Sequence, residues 1–456
     1  MIRSAAERCQ GTEMPEANAA PSPLRGRERI HSLDVIRGVA LFGILLMNIT
    51  LFGLPMSYSD PTIWGGSTGP NLWVWIAMTM FFEGTQRGIF SVLFGAGVIL
   101  LTSRLEAAGR NDVADIYYRR LIWLVIFGMI HSFVLLWVGE ILFYYGVTAL
   151  FLYPLRHLKP KVLFALAVGG FLIGALWNGV DSYVAIKKWD ENAAAQTVLD
   201  EGGTLTDDQQ SAVDEWKEFK SHLKPDESTL QDDIEAHRGS YLDTAIFQAP
   251  ANMQLESWTA YRYFFDLFAM MLVGMALYKL GILTLERSAG IYLTMLLVGY
   301  ALGLAVNFYE LKIVLNGDFS VLSMLRANWT YDLGRLAITV GHLGALLLFC
   351  RSRWMQWLQR SLAAVGRMAL SSYVSHSIIC AIVFYGFGFG LYAQLQRYQL
   401  YYVVAAIWIF QLIVSPIWLR YYRFGPMEWV WRSLTYWQKQ PMRRRARPTD
   451  FATDTA

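Results

Sequence analysis

Charge is what this 456-residue sequence has least of. Only 16% of its residues are Asp, Glu, Lys or Arg, against 55% hydrophobic, and its mean hydropathy is positive. A water-soluble surface calls for roughly 25–35% charged residues, so the chain is not read as a set of soluble domains. Cysteine is scarce, with Cys9, Cys350 and Cys380 in all. None falls in a segment expected outside the cell, so no disulfide framework is called for. The sequence has no Walker motif, no dinucleotide fingerprint, no Cys/His metal-ligand spacing and no internal repeat. An ATP-driven pump, a flavoenzyme and a metal centre are therefore unsupported. The first thirty residues are polar and Pro/Ala-rich without an apolar core. They read as a disordered cytoplasmic tail, not as a cleaved signal peptide.

What the sequence does have is apolar length. A transmembrane helix needs about 20 mainly apolar residues. Ten windows approach this: Leu33 to Leu54, Thr85 to Arg104, Leu121 to Val138, Ile141 to Leu155, Val162 to Val184, Tyr263 to Ile282, Ile291 to Leu311, Leu333 to Cys350, Leu362 to Gly388 and Tyr401 to Trp418. The fourth is short. Asn71 to Phe82 reads as an interfacial helix feeding the second span across the polar break "EGTQRG"; a single long tilted helix is the alternative. The expected fold is an all-α polytopic membrane protein with about ten transmembrane helices.

Basic residues collect in alternate connections: Arg25 to Arg29, Arg104 to Arg120, Arg156 to Lys161, Arg351 to Arg360 and the terminal "PMRRRARP". The positive-inside rule places these on one cytoplasmic face, with both termini. The terminal arginines would lie against anionic headgroups. The expected location is the bacterial cytoplasmic membrane. The chain then divides into a tail (1–30), an N-terminal membrane domain (31–184), an extracytoplasmic helical loop (185–258), a C-terminal membrane domain (259–440) and a basic tail (441–456). Within the acidic loop, Val213, Trp216, Phe219 and Leu223 share one face of an amphipathic helix over Leu205 to Leu223. A second helix is expected over Leu230 to Ile246. The loop is either a solvated cap or one wall of an acceptor site.

Ionisable residues at membrane depth carry the functional signal, because each is expensive there and tends to face a cavity or a partner. Near the outer end stand Glu83 and Arg87, Asp332 and Arg335, and the pair His131 and Glu140 in "MIHSFVLLWVGEIL". His131 lies near the outer end of span three and Glu140 at the turn into span four. If they meet, Glu140 fixes the imidazole tautomer and His131 becomes a general base for a hydroxyl or amine. The bland alternative is a histidine that glues helices together beside an interfacial glutamate. Glu83 and Arg87, four residues apart, read equally well as a pair. Asn48 in span one is a candidate oxyanion donor, with interhelical hydrogen bonding as the plainer role. His342 and His376 read mainly as packing residues. At the inner face Arg37, Arg119, Arg120 and Arg367 are candidates for binding phosphates, since the guanidinium fork matches phosphate oxygens. Arg423 and Arg432 are further arginines there. The positive-inside rule alone would also put them there. Arg37 and Arg367 stand out because each adjoins a glycine at the edge of an apolar run.

Several stretches resemble the YeiB-like family, also called domain of unknown function family 418. These are "LDVIRGVALFGILLMNI", "EGTQRGIFSVLFGAGV", "HSFVLLWVGEILFYYGVTALFLYPLR", "MLVGMALYKLGIL", "GRMALSSYVSHSIICAIVFYGFGFGLY" and "FGPMEWVWRSLTY". They run in the expected order from about His31 to Pro441. Thr85 and Gln86 stand where that family often has lysine and phenylalanine, and Glu140 where aspartate is usual. The resemblance implies membership of a superfamily of transmembrane acyltransferases. That superfamily takes an acyl group from acyl-CoA on the cytoplasmic side and delivers it to an acceptor outside. Such relatives usually carry a histidine in or just after span one. This chain has Asn48 in that region and no histidine between His31 and His131, so the resemblance supplies no catalytic histidine. The resulting expectation is an acyltransferase with acyl-CoA as donor and an extracytoplasmic glycan, lipid or small metabolite as acceptor. Membrane lipids are partners, nucleic acid is not, and a homo-oligomer is compatible with it. The rival readings are a small-solute transporter and a non-catalytic envelope-assembly factor.

Overall fold

The computed structural model describes residues 30–444 apart from 57 and 353. Cys9 and the expected tail at 1–29 lie outside the described residues, as does the chain from 445. Among the described residues there is no β-strand; the chain is all-helical. In order the helices are α1 (His31–Gly53), α2 (Pro70–Phe81), α3 (Thr85–Ala107), α4 (Val113–Phe133), α5 (Leu142–Ala149), α6 (Pro160–Asp200), α7 (Asp207–Leu223), α8 (Glu227–Arg238), α9 (Tyr241–Gln254), α10 (Ala260–Lys279), α11 (Ala289–Asn316), α12 (Val321–Ala327), α13 (Tyr331–Arg351), α14 (Gln356–Arg367), α15 (Ala369–Phe384), α16 (Arg397–Tyr421) and α17 (Pro426–Tyr436).

Seven helical stretches are long and apolar enough to cross a membrane, and an eighth if a bent pair counts as one span. The chain is therefore a multi-pass membrane protein. Every one of the ten expected segments contains helix, yet three depart from a plain span. α4 carries Asp115, Arg119, Arg120 and His131, and that polarity keeps it from qualifying on composition. α5 is an α-helix for only eight residues. Its continuation to Leu158 is tightened by bonds three residues back, such as Leu152 N to Ala149 O and Leu158 N to Leu155 O, in the manner of a 3₁₀-helix. The ninth expected span is two helices, α14 and α15, bent by 83° at Met368.

The centre of the bundle is α1. It is apolar all round and buried along most of its length, and it touches α3, α13, α14, α15 and α16. Glycines set how closely its neighbours approach. A Cβ on Gly38 or Gly366 would collide with the backbone of the facing helix, so α1 and α14 cross in contact at the two glycines next to Arg37 and Arg367. Gly95 and Gly274 do the same for α3 and α10, and Gly299, Gly303, Gly341 and Gly344 for α11 and α13. This small-residue packing suits helices in lipid, where apolar contact alone gives no preference for a protein neighbour.

The long connection is helical, but its segments differ from those expected. α6 runs for 41 residues, about 60 Å at 1.5 Å per residue, twice a bilayer core. It therefore continues beyond the membrane as a stalk, against which α7 packs. α7 begins at Thr206, whose side chain forms a capping box with Gln209. The single helix expected over Leu230 to Ile246 is two, because Gly239 ends α8 and Ser240 caps α9 in a second capping box. A π-turn at Leu255–Thr259 joins α9 to α10.

Candidate functional site

The hairpin that holds His131 and Glu140 is built by one helix end and one helix start. α4 delivers His131 in its last turn. The chain then leaves the helix through a turn in which Leu136 adopts a left-handed backbone, φ 54°. Glu140 stands just before α5. Its carboxylate accepts the Leu142 N–H at 2.6 Å and the Phe143 N–H at 2.7 Å. It thus caps the positive N-terminus of α5. Gly128, one turn earlier on α4, leaves the space this needs, because a Cβ there would press on Phe143 and on the Glu140 carboxylate.

His131 bridges two elements. Its Nδ1 lies 3.3 Å from Glu140 Oε1, and its Nε2 lies 2.7 Å from the Ser377 hydroxyl on α15. All three side chains are sealed from solvent, at 1%, 3% and 1% exposure. The Tyr373 ring meets the imidazole edge-on with centroids 4.8 Å apart. Trp137 Nε1–H donates to the Tyr373 hydroxyl at 3.1 Å, and Trp137 stacks on Phe52 of α1 at 3.8 Å. A carboxylate can only accept, so a neutral His131 bonded to Glu140 carries its proton on Nδ1. Its Nε2 lone pair then faces the Ser377 hydroxyl. The array Ser377–His131–Glu140 is a hydroxyl, a base and an orienting carboxylate in line.

The turn beside this array is held from α9 and from the end of α15. Tyr241 OH donates to Val134 O at 2.9 Å, Asn252 Nδ2–H to Ser132 O at 3.1 Å, and Tyr385 OH to Leu136 O at 3.3 Å. α8 is docked beside it through His237. That ring pairs with Asp233 at 2.7 Å, receives a Gln248 amide N–H at 2.8 Å and stacks on Tyr392 at 4.3 Å. Burial and the neighbouring Asp233 push the Tyr392 phenol well above its ordinary range, so it remains a donor to that carboxylate.

A second polar cluster gathers Arg87, Asp332 and Arg335 around a residue absent from the expected set, Asp266 of α10. Arg335 donates to both Asp266 oxygens at 2.8 and 2.6 Å and to Asp332 at 2.8 Å. Arg87 reaches Asp266 at 3.6 Å, so its salt bridge runs there and not to Glu83. Glu83 instead lines a small, partly open hollow with Tyr58, Trp75, Arg397 and Tyr401.

The arginines divide. Arg120 lies over the Trp431 ring at 3.6 Å, with Arg37 and Arg432 within electrostatic reach. Arg37 pairs with Asp34 at 2.9 Å. Arg119 donates to Thr435 O at 3.0 Å and so fastens α17 to α4. Arg367 ends α14, half-buried. From α17, Glu428 accepts the N–H groups of Leu370 and Ser371 and the Ser371 hydroxyl, which caps α15 after the 83° bend. Burial raises the Glu428 carboxyl above its ordinary value despite these donors.

Asn48 is half-buried on α1, and the hydrogen-bond partners of His131 are Glu140 and Ser377 instead. His342 bonds its own helix at Ile338 O and lies between the Phe82 and Tyr300 rings. His376 bonds Gln411 at 3.1 Å. Both serve helix packing. Sequence reasoning missed Ser377, Tyr373, Asp266 and His237. Asp266 had a usable signal, a lone acid inside an apolar span. Ser377 had none, because serine is unremarkable in a membrane helix.

The family described as "Protein of unknown function (DUF418)" matches residues 277–438. Among relatives, the chain is 30% identical over 423 residues to the uncharacterized protein YeiB of Escherichia coli K12, covering 90% of this chain and 96% of that one. It is 28% identical over 443 residues to the uncharacterized protein YxaH of Bacillus subtilis 168, covering 93% and 98%. No solved structure matches it. The match spans nearly the whole of each chain: the chain belongs to the YeiB-like DUF418 family.

Proposed function

We propose that this chain is an acyltransferase of the bacterial cytoplasmic membrane. It takes an acyl group from cytoplasmic acyl-CoA and passes it to an extracytoplasmic hydroxyl or amine on a glycan, lipid or small metabolite. One observation carries the reading: His131 has Nδ1 committed to Glu140 and Nε2 set 2.7 Å from a hydroxyl. A base in that state is suited to withdrawing a proton from an attacking O–H or N–H. The arginine end of the bundle supports the donor side. Arg120, Arg37 and Arg432 gather there, with Asp34 and Glu428 as the neighbouring acids, and guanidinium groups suit the phosphates of CoA. Ser377 is eight residues along α15 from Ala369, about 12 Å of helix rise, a depth that a pantetheine arm can reach from that end. Both termini are then cytoplasmic and the α7–α9 cap faces the acceptor.

The test incubates purified protein with labelled acetyl-CoA and a periplasmic extract, wild type against His131→Ala. Wild type transfers label, and the variant loses about 10²- to 10⁴-fold in rate. Absence of saturable CoA binding, or undiminished transfer by the variant, overturns the reading. A second reading, passage of a small solute, has the Glu83 pocket in its favour, where a carboxylate and Arg397 line one hollow. Uptake into proteoliposomes that is lost in Glu83→Gln and kept in His131→Ala selects it.

A further inference from the structure

We infer that Ser377 is a nucleophile that carries the acyl group as a covalent ester between donor and acceptor, with His131 as its base and Glu140 as the orienting carboxylate. The inference rests on the acyl-transfer reading and adds a step to it: two half-reactions in place of direct transfer.

The geometry that points to it is specific to this serine. Serine and threonine inside helices usually turn their hydroxyl back to a carbonyl one turn earlier. Ser91, Thr102 and Thr339 do so in this bundle, to Arg87 O, Val98 O and Arg335 O, and Ser91 also meets the Tyr145 hydroxyl, which is no base. On α15, Ser375 bonds its own helix at Ser372 O, and Ser371 helps fix Glu428. Ser377 instead directs its hydroxyl across to the imidazole of another helix at 2.7 Å. That imidazole is held on its far side by a carboxylate, itself pinned by two backbone N–H groups. A serine that only joined helices would need none of the second and third members. Sealing of all three from water also protects an ester from hydrolysis.

In the first half-reaction Ser377 Oγ attacks the thioester carbonyl carbon. The new C–O bond forms, the C–S bond breaks, and the serine proton passes through His131 Nε2 to the departing CoA sulfur. In the second, the acceptor O–H or N–H gives its proton to Nε2 and attacks the acyl-serine carbonyl. The C–O bond to Ser377 breaks, and the proton returns to Ser377 Oγ.

The experiment incubates the full-length protein in detergent with labelled acetyl-CoA and no acceptor, then maps the label by peptide mass. An acetyl group on Ser377 that is chased off by added periplasmic extract is the expected result. The label is absent in His131→Ala, and overall transfer falls at least about 10³-fold in Ser377→Ala. Ser377→Cys keeps the nucleophile and traps a thioester that hydroxylamine releases. Because Ser377→Ala is isosteric save for one oxygen, its melting curve checks folding. Transfer at the wild-type rate by a folded Ser377→Ala overturns the relay while leaving His131 as a base for direct transfer. If wild type moves no acyl group, the acyltransferase reading fails, and a serine-directed fluorophosphonate probe decides the nucleophile separately. Labelling of Ser377 that depends on His131 upholds it, and no labelling overturns it.

Discussion

Replacing Glu140 with glutamine changes one oxygen to an NH₂ and tests whether the carboxylate is needed for what it does here. The two oxygens have different duties. Oε1 accepts from Leu142 N–H at 2.6 Å and from His131 Nδ1 at 3.3 Å, and Oε2 accepts from Phe143 N–H at 2.7 Å. An amide has one acceptor oxygen, so it cannot serve both positions. With its oxygen at the Oε1 place, its NH₂ confronts the Phe143 N–H, and one main-chain donor at the start of α5 loses its partner. With the amide flipped, the Leu142 N–H loses its partner. The imidazole must then move its proton to Nε2, which turns it from an acceptor into a donor toward Ser377. Either way one donor in a sealed site goes unpaired, a cost of about 1–3 kcal/mol. The base is also weakened or inverted, a loss of about 10²- to 10⁴-fold in transfer rate. Denaturant unfolding in detergent reads the first effect, and labelled-acetyl transfer reads the second. Glu140→Asp separates charge from length. It retains two acceptor oxygens, so it stays closer to wild type than glutamine does in both assays. A Glu140→Gln protein that unfolds with wild type and transfers at the wild-type rate refutes this account of the hairpin.

Other perturbations have equally definite outcomes. Asp266→Asn strips the charge that pairs Arg335 and Arg87. Arg335 loses its bidentate carboxylate and keeps only Asp332, a cost of up to about 3–5 kcal/mol measured as a lowered unfolding midpoint, whereas Asp332→Asn at the edge of the cluster costs less. Gly95→Ala and Gly274→Ala each drive a methyl into the backbone of the opposite helix, with a loss of about 1–3 kcal/mol. Because both widen the same α3–α10 crossing, the double variant loses less than the sum. Glu428→Gln probes pH. Burial raises its folded pKa above the unfolded value. The stability it contributes is therefore complete below the ordinary carboxyl range and is lost as pH rises through the folded pKa. Thermal melts of wild type decline across that window, and the glutamine variant flattens the decline.

How much of this was legible in the sequence depends on the range over which each signal acts. Helix type and approximate place were readable, because apolar length and capping residues act within one segment. Thr206 with Gln209 and Ser240 with Asp243 are local signatures that the structure uses as capping boxes. The break at Gly239 was equally local, and treating Leu230 to Ile246 as one helix overlooked it. The 83° bend at Met368 was not readable from "GRMALSSY". Its N–H groups are satisfied by Glu428, some sixty residues later, and a bend that depends on a distant carboxylate leaves no mark where it occurs.

The site divides along the same line. His131 and Glu140 are nine residues apart on one hairpin, so a reading of nearby sequence could propose that they meet. Ser377 is 246 residues from His131, and the two meet only through the fold. The same holds for Asp266, 69 residues from Arg335. Costly residues in a membrane helix announce that a partner exists, because an unpaired charge would be expelled. A serine makes no such announcement, since it can satisfy itself against its own helix. The useful rule for this bundle is therefore to start from the expensive side chain and ask what its second hydrogen-bonding atom touches. For His131 the first atom explains how the ring is held, and the second names the hydroxyl that it faces.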